Sequence, residues 1–168
     1  MTPRFDKVSE STLPPCSPRR AIMPGSFNPF TRGHADILER ALNMFDEVVV
    51  AVGFNIEKGN PEDIERRVED IRRLYESESR VKVTSYSGLT ASLAEKLGIG
   101  TLIRGVRDIK DFEYERTLAD VNRRIAGLET ILLTARPEYA CFSSSTVREL
   151  EHFGFDVSEF LPSRGPES

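Results

Sequence analysis

Residues 24–34 (PGSFNPFTRGH) carry the densest chemistry in the chain. Gly33 and His34 open the apolar-periodic stretch that follows, so the segment reads as a turn feeding a helix N-terminus. The unpaired N–H groups there, with about half a positive charge from the helix dipole, attract an anion. His34 adds a side-chain donor in the first turn, and Gly33 leaves the backbone open to a ligand. A glycine turn with a capping histidine would explain GH alone, but not the whole string. Further on, RGVR sets Arg104 and Arg107 on either side of Gly105 and Val106. A forked guanidinium suits phosphate oxygens. Ser143, Ser144, Ser145 and Thr146 read as a second helix start with hydroxyl and N–H donors, although such a run alone is usually a cap. Lys58 offers another cation in a loop, and Glu115 a carboxylate on a helix; each has a plainer reading as a solvated surface charge.

These residues must be positioned by elements that alternate regularly. Strands are expected at 21–25, 47–54, 81–86, 101–105 and 129–135, and helices at 33–45, 61–75, 89–97, 111–127 and 143–154. EVVVAVGF is branched throughout, as in a strand covered on both faces. Pro61 starts one helix and Gly98 stops another. Tyr114, Leu118, Val121 and Ile125 fall along one face of the helix at 111–127. The alternation predicts a single α/β domain: a Rossmann-like, doubly wound, five-stranded parallel sheet with helices on both faces. Ligands in such folds collect beyond the carboxyl ends of the strands, and all the candidate residues follow strands. The domain is expected over 19–162, between an N-terminal tail at 1–18 and a short C-terminal tail at 163–168.

Composition sets bounds on partners. The 168 residues carry a net charge of -4 and a pI near 5.4, which gives no electrostatic case for nucleic acid or an anionic membrane. Cys16 and Cys141 form neither a disulfide framework nor a zinc motif, and no metal site is evident. No apolar run reaches the ~18 residues that span a bilayer, and the N-terminus lacks the apolar centre of a secretory signal. The expected location is the cytoplasm.

The string at 24–34 resembles the (T/H)xGH signature of the nucleotidyltransferase superfamily. The rest resembles one family within it, the bacterial phosphopantetheine adenylyltransferases. PGSFNPFTRGH, FDEVVVAV, Lys58, LIRGVRDIKDFEYE, Asn122 with Arg123, and PEYACFSSSTVRE carry this likeness. The resemblance implies transfer of the adenylyl group of ATP to 4'-phosphopantetheine, giving dephospho-CoA and pyrophosphate without a covalent enzyme intermediate. It implies catalytic roles for His34, Lys58 and Arg107. It places ATP against Ser26, Phe27, His34, Gly105, Val106, Arg107, Glu115, and Ala140, Cys141, Phe142, Ser143, Ser144, Ser145 and Thr146. It places the acceptor against Ser26, Lys58, Leu89, Thr90, Arg104 and Asn122. Magnesium is expected with ATP, coenzyme A as a feedback inhibitor, and a homohexamer as the assembly. Asn28 stands where this family often has Asp, and Gly59 replaces a second lysine. Nicotinate-mononucleotide adenylyltransferases also use FNP, and a catalytically silent nucleotide-binding module is the alternative of another class.

Overall fold

A branched run with no polar break is stable only where both faces of the strand are covered. The computed structural model, which describes residues 17–54 and 60–163, meets that demand with one parallel sheet. Its strands are β1 (Arg20–Gly25), β2 (Glu47–Phe54), β3 (Val81–Ser87), β4 (Thr101–Val106) and β5 (Glu129–Thr134), in the order β3-β2-β1-β4-β5. The helices between and after them are α1 (Arg32–Leu42), α2 (Pro61–Leu74), α3 (Thr90–Leu97), α4 (Ile109–Ala126) and α5 (Ser144–His152). Most of each expected tail, and Lys58 with Gly59, lies outside the described residues.

Alternation along each strand divides the core into two layers. Ala21, Met23, Val48, Val50, Val52 and Ile103 meet Leu38 and Ala41 of α1 and Val68 and Ile71 of α2. Ile22, Val49, Ala51 and Leu102 point the other way, onto Ala91 and Ala94 of α3, with Ile99 and Leu128. Helix α4 packs on β4, β5 and α3. Its apolar stripe is mostly turned outward: Tyr114, Val121 and Ile125 are exposed and Leu118 is half-buried. The buried residue of α4 is instead Glu115. The helix lies against the β5 edge, where the sheet offers too little surface to cover the whole stripe.

The chain winds outward from β1 through β2 to β3, then crosses back to β4 and β5. The switch in direction falls between β1 and β4, which is where open α/β sheets hold ligands. Six residues of β1 are in register with β2, but toward β4 only Ile22 and Leu102 are paired. The carboxyl ends of β1 and β4 are therefore free of each other's ladder, and a crevice opens between Gly25 and Arg104.

Leu38 is fully buried between helix and sheet. Leu38→Ala should cost about 2–5 kcal/mol, lowering the urea midpoint of unfolding with little change in its slope.

Candidate active site

The loop from β1 to α1 is held by its own aromatic residues. Phe27 takes a left-handed backbone (φ 45), at a cost of about 1–2 kcal/mol for a residue with a Cβ. Burial of its ring offsets that strain: Phe27 is 3% exposed and packs on Phe30 and His34, with centroids 5.4 and 5.1 Å away. The ring occupies the space above Gly25, where a Cβ would stand 2.8 Å from its tip. Glycine at the end of β1 is thus a packing requirement. Two helices clamp the turn through its carbonyls. Arg67 Nη1 of α2 donates to Ser26 O at 2.8 Å, and Arg148 Nη1 of α5 donates to Asn28 O.

Thr31 caps α1, and His34 completes a capping box in the place where glutamate is more usual. The Thr31 backbone N–H donates to His34 Nδ1 at 3.0 Å, so Nδ1 carries no proton and Nε2–H becomes the ring's donor at the cleft wall. The Thr31 hydroxyl is within 3.0 Å of both His34 Nδ1 and Phe142 O, which ties α1 to the loop before α5. Burial lowers the imidazole pKa to about 4, helped by the charges of Arg104 and Arg107. In the structure desolvation and two arginines keep it neutral.

Arg104 reaches into the crevice from the α3/α4 side of β4. Its Nε and Nη2 form a fork on Glu115 at 2.8 and 2.5 Å, and Nη1 donates to Pro24 O, a carbonyl left free where β1 and β4 part. Burial alone would lower the guanidinium's pKa, but the hydrogen bonds and charge of Glu115 hold it above its ordinary value. One N–H on each terminal nitrogen takes no part in these bonds and is available to an anion. Arg107 makes a similar fork on Asp111, with Nε at 2.8 Å and Nη2 at 3.2 Å. An arriving polyphosphate must share or displace that carboxylate. Ser143 caps α5, its Oγ accepting from Thr146 N at 3.0 Å, while the Ser144 hydroxyl donates to Pro29 O at 2.7 Å. The first N–H groups of α5 have no acceptor within the helix and face the same space.

Two clefts meet at Arg104. The larger, about 350 Å³, is lined by Ser26, Phe27, His34, Arg104, Gly105, Arg107, Glu115, Phe142, Ser143, Ser144 and Ser145 of the expected residues. The smaller, about 220 Å³, shares Ser26, Arg104 and Glu115 with it and adds Thr90 and Asn122. Val106 is buried, Ala140 and Cys141 are exposed beside the larger cleft, and Leu89 is 64% exposed at the start of α3; none of the four lines either cleft. Thr146 turns its hydroxyl to Ser143. Sequence reading passed over Thr31, Asp111 and Arg148 in the larger cleft. Asp111 had a signal, four residues after Arg107; Arg148 is an exposed helix arginine with none. Among the described residues no three His, Cys, Asp or Glu side chains converge as metal ligands. No helix there is long and apolar enough to cross a membrane.

A helix-capping histidine, a switch-point crevice and converging arginines define a nucleotide-binding α/β enzyme site. The cytidylyltransferase-like family model matches residues 22–150. Proteins named phosphopantetheine adenylyltransferase match at higher resolution. That of Porphyromonas gingivalis is 53% identical over 84% of this chain and 93% of its own, and that of Bacteroides fragilis 50% over 86% and 96%. The chain therefore belongs to the cytidylyltransferase-like nucleotidyltransferases and, within them, to the phosphopantetheine adenylyltransferase family of enzymes. A Francisella tularensis bifunctional NMN adenylyltransferase/ADP ribose pyrophosphatase shares the fold, with a TM-score of 0.67 at 13% identity over 90% of this chain and 47% of that one.

The lowered pKa of His34 fixes the sign of a pH effect. Below pH 6.5 the unfolded chain protonates this imidazole, and the folded chain does not until about pH 4. The stability it contributes is complete above pH 6.5 and is lost as pH falls from 6.5 to 4. Between pH 7.5 and 5 the wild type should lose about 2 kcal/mol more than His34→Asn, measured by urea unfolding.

Proposed function

We propose that the protein transfers the adenylyl group of ATP to 4'-phosphopantetheine, releasing pyrophosphate and dephospho-CoA. The observation that carries this reading is the junction of the two clefts at Arg104. A phosphate held there has one cleft for a nucleotide and another for the chain it ends. The names of the close relatives supply the chemical identity of that chain.

In the reaction an oxygen of the acceptor's phosphate bonds to the α-phosphorus of ATP. The bond to the bridging oxygen of the β-phosphate breaks, and pyrophosphate leaves with that electron pair. The attacking oxygen is already ionised near neutral pH, so no general base is needed. What the protein must do is hold several negative charges together and stabilise the charge that develops. Arg104 and Lys58 hold the acceptor's phosphate; Arg107 and the start of α5, with Ser143 and Ser145, take the β- and γ-phosphates. Neutral His34 donates its Nε2–H to an α-phosphate oxygen. A neutral donor held by a backbone N–H keeps its position and tautomer through the reaction. Glu115 acts on Arg104 as a positioning residue. Magnesium enters as MgATP; Asp111 and Glu115 are both engaged by arginines, and no carboxylate cage for the ion is formed among the described residues. The outward apolar residues of α4 support self-association, proposed as a homohexamer, and coenzyme A, which carries both halves of the product, is the proposed feedback inhibitor.

Pyrophosphate release should depend on ATP, magnesium and 4'-phosphopantetheine together, with dephospho-CoA found by mass spectrometry. Turnover of nicotinate mononucleotide alone would sink the acceptor assignment and leave adenylyl transfer standing. Binding of ATP with no turnover of any acceptor would favour a silent nucleotide-binding module.

Residue roles separate kinetically. His34→Ala should cut kcat by ~10²–10³ while ATP affinity by calorimetry stays within a few fold. Lys58→Ala should raise the acceptor's KM with little change in ATP binding; equal loss of ATP affinity without acceptor would refute that division.

A further inference from the structure

Two of the arginines of the larger cleft are each forked by a carboxylate of α4, yet the two pairs are built differently. Arg104 belongs to a strand, and its guanidinium also donates to Pro24 O, so it is held from two sides. Its partner Glu115 is buried. Arg107 follows the end of β4, and the Asp111 carboxylate is the only acceptor its side chain has among the described residues. Both members of this second pair line the cleft and stay open to it, with side chains 39% and 27% exposed.

The second fork can open without stranding either group. Asp111 Oδ2 also accepts the Arg107 backbone N–H at 3.2 Å, and the first turn of α4 favours a negative charge. The carboxylate keeps both when the guanidinium turns away. Capping of α4 does not depend on it, because Asp108 Oδ1 accepts the Asp111 backbone N–H at 2.8 Å, a bond that any residue but proline can make there. Burial pushes the Asp111 carboxyl up, but the bonds and charge of Arg107, with the charge of Arg104, hold it below its ordinary value, so it is ionised at neutral pH. A half-exposed pair of this kind is weak, and phosphate oxygens on the same fork can replace it. Pyrophosphate presents two phosphate groups, and binding both across Arg107 calls on the edge that Asp111 holds.

We infer that Asp111 is a positioning residue that competes with pyrophosphate for Arg107. It holds the guanidinium between turnovers, yields it to the β- and γ-phosphates, and takes it back as the product leaves. This rests on the placement of those phosphates proposed above. The competition weakens ATP and pyrophosphate by the same factor, since both draw Arg107 from the same fork. Its benefit falls after the chemistry, when a product held by an arginine, serines and a helix N-terminus has to depart.

Calorimetry with inorganic pyrophosphate and magnesium tests this without any acceptor. Asp111→Asn and Asp111→Ser, two neutral variants that keep the backbone N–H for Asp108, should each bind pyrophosphate roughly 3- to 10-fold tighter than wild type. Inhibition of turnover by added pyrophosphate should strengthen by the same factor. Damage to the fold would weaken binding, so a gain of affinity separates competition from a merely structural role. Asp111→Glu, which keeps the charge, should stay within about twofold of wild type. The KM for 4'-phosphopantetheine should also hold within about twofold, because its phosphate lies on Arg104. In an Arg107→Ala background the gain from Asp111→Asn should shrink to less than about twofold. Weaker or unchanged pyrophosphate binding in either neutral variant, or a full gain without Arg107, would overturn the competition and leave the activity standing. A wild type that binds no pyrophosphate and releases none with any acceptor would overturn the proposed function as well.

Discussion

A guanidinium placed at the switch point of a parallel sheet has to be neutralised, held and still left able to bind, and Arg104 meets all three demands through one pair of contacts. Glu115 forks onto its Nε and Nη2, Pro24 O takes Nη1, and two N–H bonds stay available. Glu115 is buried while Arg104 keeps some exposure, so removing the arginine would strand a buried carboxylate, and the pair fixes more than a side chain. It ties α4 to the carboxyl ends of β4 and β1, and so sets the crevice in which the rest of the site assembles. Helix α4 turns a carboxylate inward, onto Arg104, and leaves most of its apolar stripe outside.

Around that anchor the site is built from backbone groups that the sheet and helices leave over. Pro24 O is free because β1 and β4 separate after Ile22 and Leu102. Ser26 O and Asn28 O are free because the turn joins no ladder, and Arg67 and Arg148 take them up. The Thr31 N–H would be an orphan at the start of α1, and His34 Nδ1 accepts it. The same bond that caps the helix sets the tautomer of the ring. Fold stability and readiness for chemistry come from the same hydrogen bonds, which is economical in a single domain of this size.

Electrostatics here rests on balance more than on excess charge. The chain is acidic overall, yet the larger cleft gathers Arg104, Arg107 and Arg148. Asp111 and Glu115 occupy the forks of two of them and keep those arginines oriented toward one space. Burial, with the charges of Arg104 and Arg107 added to it, keeps His34 uncharged. A neutral imidazole among arginines acts as a hydrogen-bond donor without adding another full charge to the cleft.

Much of this was legible from the chain. Each strand and helix was marked by its own periodicity, and EVVVAVGF, Pro61 and Gly98 fixed where elements lie because those signals act within a few residues. The candidates at 24–34, Arg104, Arg107 and the serines were visible because strand-following positions are where such a fold collects ligands, and the structure brings these groups around one space. What stayed hidden depended on partners distant in sequence. Glu115 was already a candidate, but its partner stayed hidden until the fold set it 2.5 Å from Arg104. Arg148 carried no mark, since its value lies in reaching Asn28 O across 120 residues. Leu89, Val106, Ala140 and Cys141 are near in sequence to cleft residues, yet none of them lines either cleft in the fold. The sequence by itself determined the elements and the kinds of charge available, because periodicity and residue chemistry are local. Only the tertiary structure decided which charges are paired and which proton His34 carries, because each is set by a neighbour that the chain meets only when folded.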